Sequence, residues 1–489
     1  MPLHIWSEPP QPRPFRNGSI GKRIHRSVPS TPIKDVEHIY YRFSPFDLLP
    51  VELQVEIFSY CLPPFPHFDI DEAPLLISRV CRAWRSVVLN TPKLWSAFEI
   101  EVTGSGTSPS PRDLQIMTTM KLWLERSKNY PLSVRVIHVP INRVPDHRST
   151  QLLAVLIPEA RRWRHVQFVV PSTSISSLQH SFPADFPLLQ SLTLQMKGLW
   201  GSNPSFDVST MNIPWRQLTS LDLQLEHTVL LTLDKCLVIL AQTEQLTRCT
   251  MNVDCTLDPR TVHTSHLSLP SLETLHLILQ GGTNATTIAA ADRPEACLVQ
   301  FLNILSLPVL QTLRLGWLVQ PSGARSWSAK HSDFLAFLHR QAQTIQVLSL
   351  AYLPLTEREL LECLSRVPNL THLDLKFSLS DIENDPITES LLTAFTSSPE
   401  VTKKGKALLP LMEYFNLQCS GKHYDSAVLL AFIDSRRKLG RGQSDSVRGS
   451  LLKSFNLLSM NPVFREVEKH VQKWTQEGMD VRIESLCIR

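Results

Sequence analysis

Leu310-Gln311-Thr312-Leu313-Arg314-Leu315 sets three apolar side chains at the spacing apolar-x-x-apolar-x-apolar. Leu313 and Leu315 stand two apart, the period of a strand with one buried face. The same spacing starts again at Leu189, Leu218, Leu272, Ile345 and Leu370, with weaker copies at Trp163, Leu246, Met412 and Leu452. That makes ten units, spaced 25 to 42 residues apart, a range typical of stacked arrays. Apolar residues of helical period lie between several of them, such as Leu360, Leu361 and Leu364, or Leu429, Phe432 and Ile433. One strand–helix unit cannot bury its apolar face alone, so neighbours must stack into a continuous core. The expected architecture is α/β: a strand–helix solenoid over residues 132–489 with a parallel sheet on its concave side.

The pattern resembles leucine-rich repeats in degenerate form. Such repeats place Asn or Cys three residues after the last leucine, where the side chain bonds the loop backbone. Here those positions carry Lys197, Glu226, Leu318, Leu353 and Ser420, so that ladder is absent and the repeat subtype stays open. The positions between the leucines point away from the core. At the strand centres they are Thr193, Asp222, Thr250, His276, Arg314, Ser349, Asp374, Asn416 and Asn456. Two residues on come Gln195, Gln224, Asn252, Lys376 and Gln418. A mixed polar face without one charge sign suits a protein target bound through many modest contacts. It does not suit a phosphate backbone, so no nucleic-acid partner is expected. The alternative is a merely solvated face, with any target on a flank.

Upstream, Leu49-Pro50-Val51-Glu52-Leu53 opens a second module that continues through Ile57-Phe58 and Val80-Cys81-Arg82-Ala83-Trp84-Arg85 to Leu94-Trp95. Pro50 suits a helix start, and Glu52 in the first turn complements the helix dipole. Val51, Val55, Phe58 and Leu62 form one apolar stripe; Leu53, Ile57 and Cys61 form another. So short a helix cannot bury both stripes in its own small domain, so one must meet a partner protein or the neighbouring domain. A next helix is expected from Pro74 to Leu89, with Leu76, Val80, Ala83 and Val87 on its buried face and Thr91-Pro92 ending it. A linker at Thr103–Pro111 and an amphipathic helix through Ile116, Met120, Trp123 and Leu124 connect it to the repeats.

In order and spacing, this module resembles the F-box, the adaptor-binding unit of cullin-type ubiquitin ligases. F-box followed by degenerate leucine-rich repeats resembles the large F-box-like families of mushroom-forming fungi. The resemblance implies a small all-α domain over residues 44–98 that binds a Skp-type adaptor. Leu49, Pro50 and Glu52 open it, and Leu53, Ile57, Val80 and Trp84 are shared between adaptor contact and internal packing. The segment Pro63–Asp71 departs from the family pattern as an insertion between helices. The chain would then be a substrate receptor that presents a protein target. The alternative is a non-ligase scaffold whose helices only cap the solenoid.

The remaining sequence narrows the other function classes. At 489 residues, 43% hydrophobic and 19% charged, the chain can bury a large core. A net charge of +4 is too small for a nucleic-acid binder. Nine cysteines, none in paired spacing, point to reduced thiols and a cytoplasmic or nuclear setting. No apolar run reaches membrane length, so no membrane partner is expected. Residues 1–43 carry Arg13, Arg16, Lys22, Arg23 and Arg26 among many prolines and read as a disordered basic tail. No nucleotide-binding, zinc-protease or serine-hydrolase motif occurs. His263 and His266 near Asp254 and Cys255 match no zinc spacing. No enzyme, cofactor or metal site is expected. Two basic runs, Lys403-Lys404-x-Lys406 and Arg436-Arg437-Lys438 with Arg441, are expected in solvated connections. The closing elements are a helix through Phe464, Val467, Val471 and Trp474, capped at Gly478, and a strand at Val481–Ile488.

Overall fold

The computed structural model describes residues 45–103, 110–139, 148–176, 181, 185–196, 208, 211–226, 230–257, 266–281, 294–319, 327–396, 408–438, 450–460 and 465–486. The basic tail, His263, Phe464, the lysines at 403–406 and Arg441 lie outside them. Sixteen strands follow in chain order: β1 (Ala97–Val102), β2 (Leu132–His138), β3 (Trp163–Val170), β4 (Ser191–Met196), β5 (Ser220–Gln224), β6 (Leu231–Thr232), β7 (Arg248–Asp254), β8 (Leu267–Ser268), β9 (Thr274–Gln280), β10 (Leu305–Ser306), β11 (Thr312–Trp317), β12 (Val347–Ala351), β13 (His372–Lys376), β14 (Tyr414–Cys419), β15 (Ser454–Ser459) and β16 (Asp480–Ser485). Fourteen of them make one parallel sheet, in the order β1-β2-β3-β4-β5-β7-β9-β11-β12-β13-β14-β15-β16, with β6 beside β7 and a separate β8–β10 pair. Thirteen α-helices are present among the described residues. The result is a mixed α/β stack in which each crossover leads to the next strand, as parallel pairing requires.

One register runs through the ladder. Phe98, Val134, Val166, Leu192, Leu221, Cys249, Leu275, Leu313, Leu348, Leu373, Phe415, Phe455 and Val481 are successive partners. The row two residues on, from Ile100 to Ile483, does the same. These rows face the core, and Leu275, Leu313, Leu348 and Leu375 have no exposure. The sheet begins at β1, one strand before the first expected solenoid residue.

The missing loop-capping ladder is replaced by local devices. Asn252 Oδ1 accepts the Leu225 N–H at 2.6 Å. Asp385 Oδ2 accepts the Ser420 N–H at 2.7 Å, and its other oxygen accepts that of Ile387. Between early turns, His138 Nδ1, Ser149 Oγ and Ser174 Oγ form a fully buried chain with 2.8 Å links.

The Arg436 run differs from expectation. It lies on a helix, Ser426–Lys438, and Arg436 is fully buried. Its guanidinium donates to the carbonyls of Phe395 (2.7 Å), Leu409 (2.9 Å) and Leu408 (2.5 Å). Burial lowers its pKa to about 10, so it stays charged at neutral pH. The carbonyls come from the preceding helix end and from residues 408 and 409. Arg437 pairs with Glu477 at 3.1 Å. Both arginines are structural ties between neighbouring units.

The two ends of the sheet differ. β16 is an open edge on which Asp480, Arg482 and Glu484 alternate outward; charges on an edge discourage strand addition. At the other end, helices cover the core beside β1.

Leu373→Ala should cost about 2–5 kcal/mol by cavity formation. Arg436→Met should cost about 1–3 kcal/mol by leaving buried carbonyls without their donor. Asn416→Ala, on the opposite face, should fall within about 0.5 kcal/mol of wild type. Urea unfolding midpoints check this, and equal losses at Leu373 and Asn416 would contradict the register.

Candidate functional site

The amino-terminal helices form α1 (Val51–Tyr60), α2 (Leu75–Ser78) and α3 (Arg82–Asn90), ahead of the long helix α4 (Pro111–Ser127). Pro50 occupies the N-cap of α1, one position outside the expected one, and its carbonyl accepts the N–H groups of Leu53 and Gln54. The buried Gln54 amide also donates to the Leu49 and Phe46 carbonyls at 2.9 and 3.3 Å. That fixes the turn entering α1, and the sequence reading gave Gln54 no role.

Neither stripe on α1 is fully buried: of the first, Phe58 is buried, Val55 and Leu62 are half-buried and Val51 is 49% exposed. Phe58 is inside, against Phe46 and Trp84, with ring centroids 4.7 to 5.4 Å apart. Trp84 is therefore a half-buried internal brace. Leu53 and Ile57 are 51% and 42% exposed, and Cys61 is exposed beside them.

The segment expected as one helix from Pro74 to Leu89 is two, separated at Arg79–Cys81. Cys81 is extended (φ −153°, ψ 172°), and its Sγ accepts the Trp84 N–H. The break rotates the helical phase. Ile77 and Val88 face inward, whereas Leu76 and Val80, expected inside, are 45% and 57% exposed. Ala83 is exposed and Val87 half-buried. Leu48, Val51, Leu53, Ile57, Leu76 and Val80 are thus all exposed. Pro50 and Glu52 are exposed next to them, and Leu49 is half-buried. Isolated exposed leucines are ordinary, but this many on three short helices is not.

The insertion Pro63–Asp71 runs back to the sheet. The Pro66 carbonyl accepts the Glu99 N–H of β1 at 2.8 Å. Phe68 packs on Trp123 of α4 at 4.8 Å, and Trp123 meets Trp95 edge-on at 4.7 Å. The Arg135 guanidinium lies 4.2 Å from the Phe65 ring centre and pairs with Glu99 at 2.8 Å. These contacts fasten the helices to the first strands.

The open face of the sheet forms a second polar row. Glu99, Arg135, Gln167, Thr193, Asp222, Thr250, His276, Arg314, Ser349, Asp374, Asn416, Asn456 and Arg482 are successive register partners. All nine expected strand-centre residues therefore share one line. They are not equally available. Ser349 is 1% and His276 8% exposed, so these two are framework rather than surface. Thr193, Asp222, Thr250, Arg314, Asp374 and Asn456 are half-buried, and Asn416 is exposed. Side chains along the row bind one another: Gln195 and Gln224 donate to Asp222, Ser349 to Asp374, and Asn456 to Asn416. Gln418 reaches Tyr352 Oη, and Lys376 lies 3.9 Å from Asp374.

Burial, assisted by Arg314 and Lys376, pushes His276 down to about 3, so its imidazole is neutral. Burial raises Asp374. Burial also pushes the Cys249 thiol up to about 12 and raises Cys236 and Cys255, which makes these thiols poor nucleophiles. The His138–Ser149 pair has hydrogen-bonding geometry, but neither group is exposed. Among the described residues, no three His, Cys, Asp or Glu side chains converge as metal ligands, and no helix is long and apolar enough to cross a membrane. No protein-family model and no curated protein matches the chain.

His276 gives a sign-defined pH effect. Its folded pKa lies below the usual 6.5, so the unfolded chain binds the extra proton and its contribution to stability is lost as pH falls from 6.5 toward 3. His276→Asn should flatten the fall in urea midpoint across that window; an unchanged slope would exclude His276 as a source.

Proposed function

We propose that the chain is a substrate receptor of a cullin-type ubiquitin ligase. Its amino-terminal helices bind a Skp-type adaptor, and the open face of its leucine-rich-repeat-like array binds a protein target. The observation that carries the reading is the exposure of apolar side chains on and beside α1–α3, among them Leu53, Ile57 and Val80, in the module that Leu49-Pro50 opens. Apolar side chains left in water on a helix that already packs through Phe58 call for a partner. The order of segments and the F-box-like residues support an adaptor as that partner. The array's contribution is positioning: tethering raises the effective concentration of the target without new chemistry.

The scaffold reading draws on a different observation. Trp95, Leu94 and Phe58 join the core shared with the first strands, so the helices also cap the array. Capping uses Phe58 and leaves the exposed apolar side chains unexplained, which is why the adaptor reading is preferred.

Co-expression with a Skp-type adaptor distinguishes the two. The wild-type chain should co-purify with the adaptor, and Leu53→Asp combined with Ile57→Asp should abolish capture while leaving the unfolding midpoint nearly unchanged. Absence of capture by the wild-type chain, where an established F-box protein is captured, supports the scaffold reading.

A further inference from the structure

The insertion that fastens the helices to the sheet also makes a cleft. Pro64 and Phe65 border an open cleft of about 320 Å³ with residues of β2, β3 and β4, at the lower end of the range for ligand sites. The polar groups of its floor are Ser133, His165, Gln167, Ser191 and Thr193. Ser133, His165 and Ser191 are register partners, as are Gln167 and Thr193, so these groups lie in two adjacent rows. Farther along the face several polar side chains bind one another, among them Asp222, Ser349, Asp374, Asn416 and Asn456. Here the hydroxyls of Ser133, Ser191 and Thr193 and the His165 ring make no hydrogen bond among the described residues. The Gln167 oxygen accepts from Arg135 Nε at 2.7 Å, which leaves its amide nitrogen as a donor.

The cleft is also neutral. Among the described residues, no Lys, Arg, Asp or Glu lines it. The bordering cation, Arg135, is committed to Glu99 and to the face of Phe65. Burial, with a smaller contribution from Arg164, lowers the His165 pKa, so the ring is uncharged at neutral pH. An anion would meet no free positive charge there. An uncharged peptide could use five unspent donors and acceptors for its main-chain groups and set an apolar or proline side chain against Pro64 and Phe65.

We infer that this cleft is the target-recognition pocket of the receptor, and that it takes an unmodified, uncharged peptide segment rather than a phosphorylated one. The inference rests on the substrate-receptor reading for its protein target. A glycan would use similar neutral groups, but one face of the Phe65 ring is taken by Arg135, which limits sugar stacking.

The full-length chain, selected against a displayed library of random unmodified peptides and assayed in parallel against phosphoserine peptides and a glycan array, tests the inference. Uncharged peptides should be enriched. Their affinity should fall at least about tenfold in Thr193→Arg and in Phe65→Ala, and stay unchanged in Val238→Arg, at an exposed position of the helix Leu233–Leu240. Adaptor capture should be unaffected in all three. No enriched peptide, preference for phosphopeptides or glycans, or selected peptides that bind Thr193→Arg normally would overturn it. Wild-type chain that binds such peptides but captures no adaptor would remove the ligase reading and leave the cleft.

Discussion

The structure depends on one constraint, the common register of its parallel ladder. Strand side chains alternate faces, so a one-residue slip at any strand would turn its leucines to water and bring polar residues inside. Because Leu313 pairs with Leu275 on one side and Leu348 on the other, every strand fixes the next. The register that buries the leucines also aligns the polar residues between them. The face available to a partner is therefore a consequence of core packing.

The amino-terminal helices are attached to that ladder. Trp95 and Trp123 sit in the shared core, and the Pro63–Asp71 segment adds a backbone hydrogen bond to β1 and an aromatic contact to α4. On the proposed reading, an adaptor surface and a target surface would thereby be held on one body. For a protein whose proposed work is positioning, such stiffness is the useful property, since tethering helps only when geometry permits both contacts.

Much of this was legible in the sequence. The leucine spacing placed the strands, because period-two burial leaves a period-two pattern, and it placed Thr193 through Asn456 in line. That α1 carries more apolar surface than so small a domain can bury was legible from its helical period, though which stripe stays outside was not. Other features were set by distant contacts. The break at Cys81 is not marked by Gly or Pro, so Leu76 and Val80 read as buried when the shifted phase exposes them. Arg436 reads as surface charge until three carbonyls from other segments surround it. The cleft beside Phe65 joins residues about 70 to 130 positions apart, which no local pattern encodes.

The central claim is that the exposed apolar side chains on and beside α1–α3 make a partner surface on a rigid array. Hydrogen–deuterium exchange of the full chain, with and without a Skp-type adaptor, tests it most directly. The account predicts new protection confined to residues 49–61 and 75–90, with the strands from β2 onward unchanged. Protection absent from those helices, or appearing only along the sheet, would contradict it.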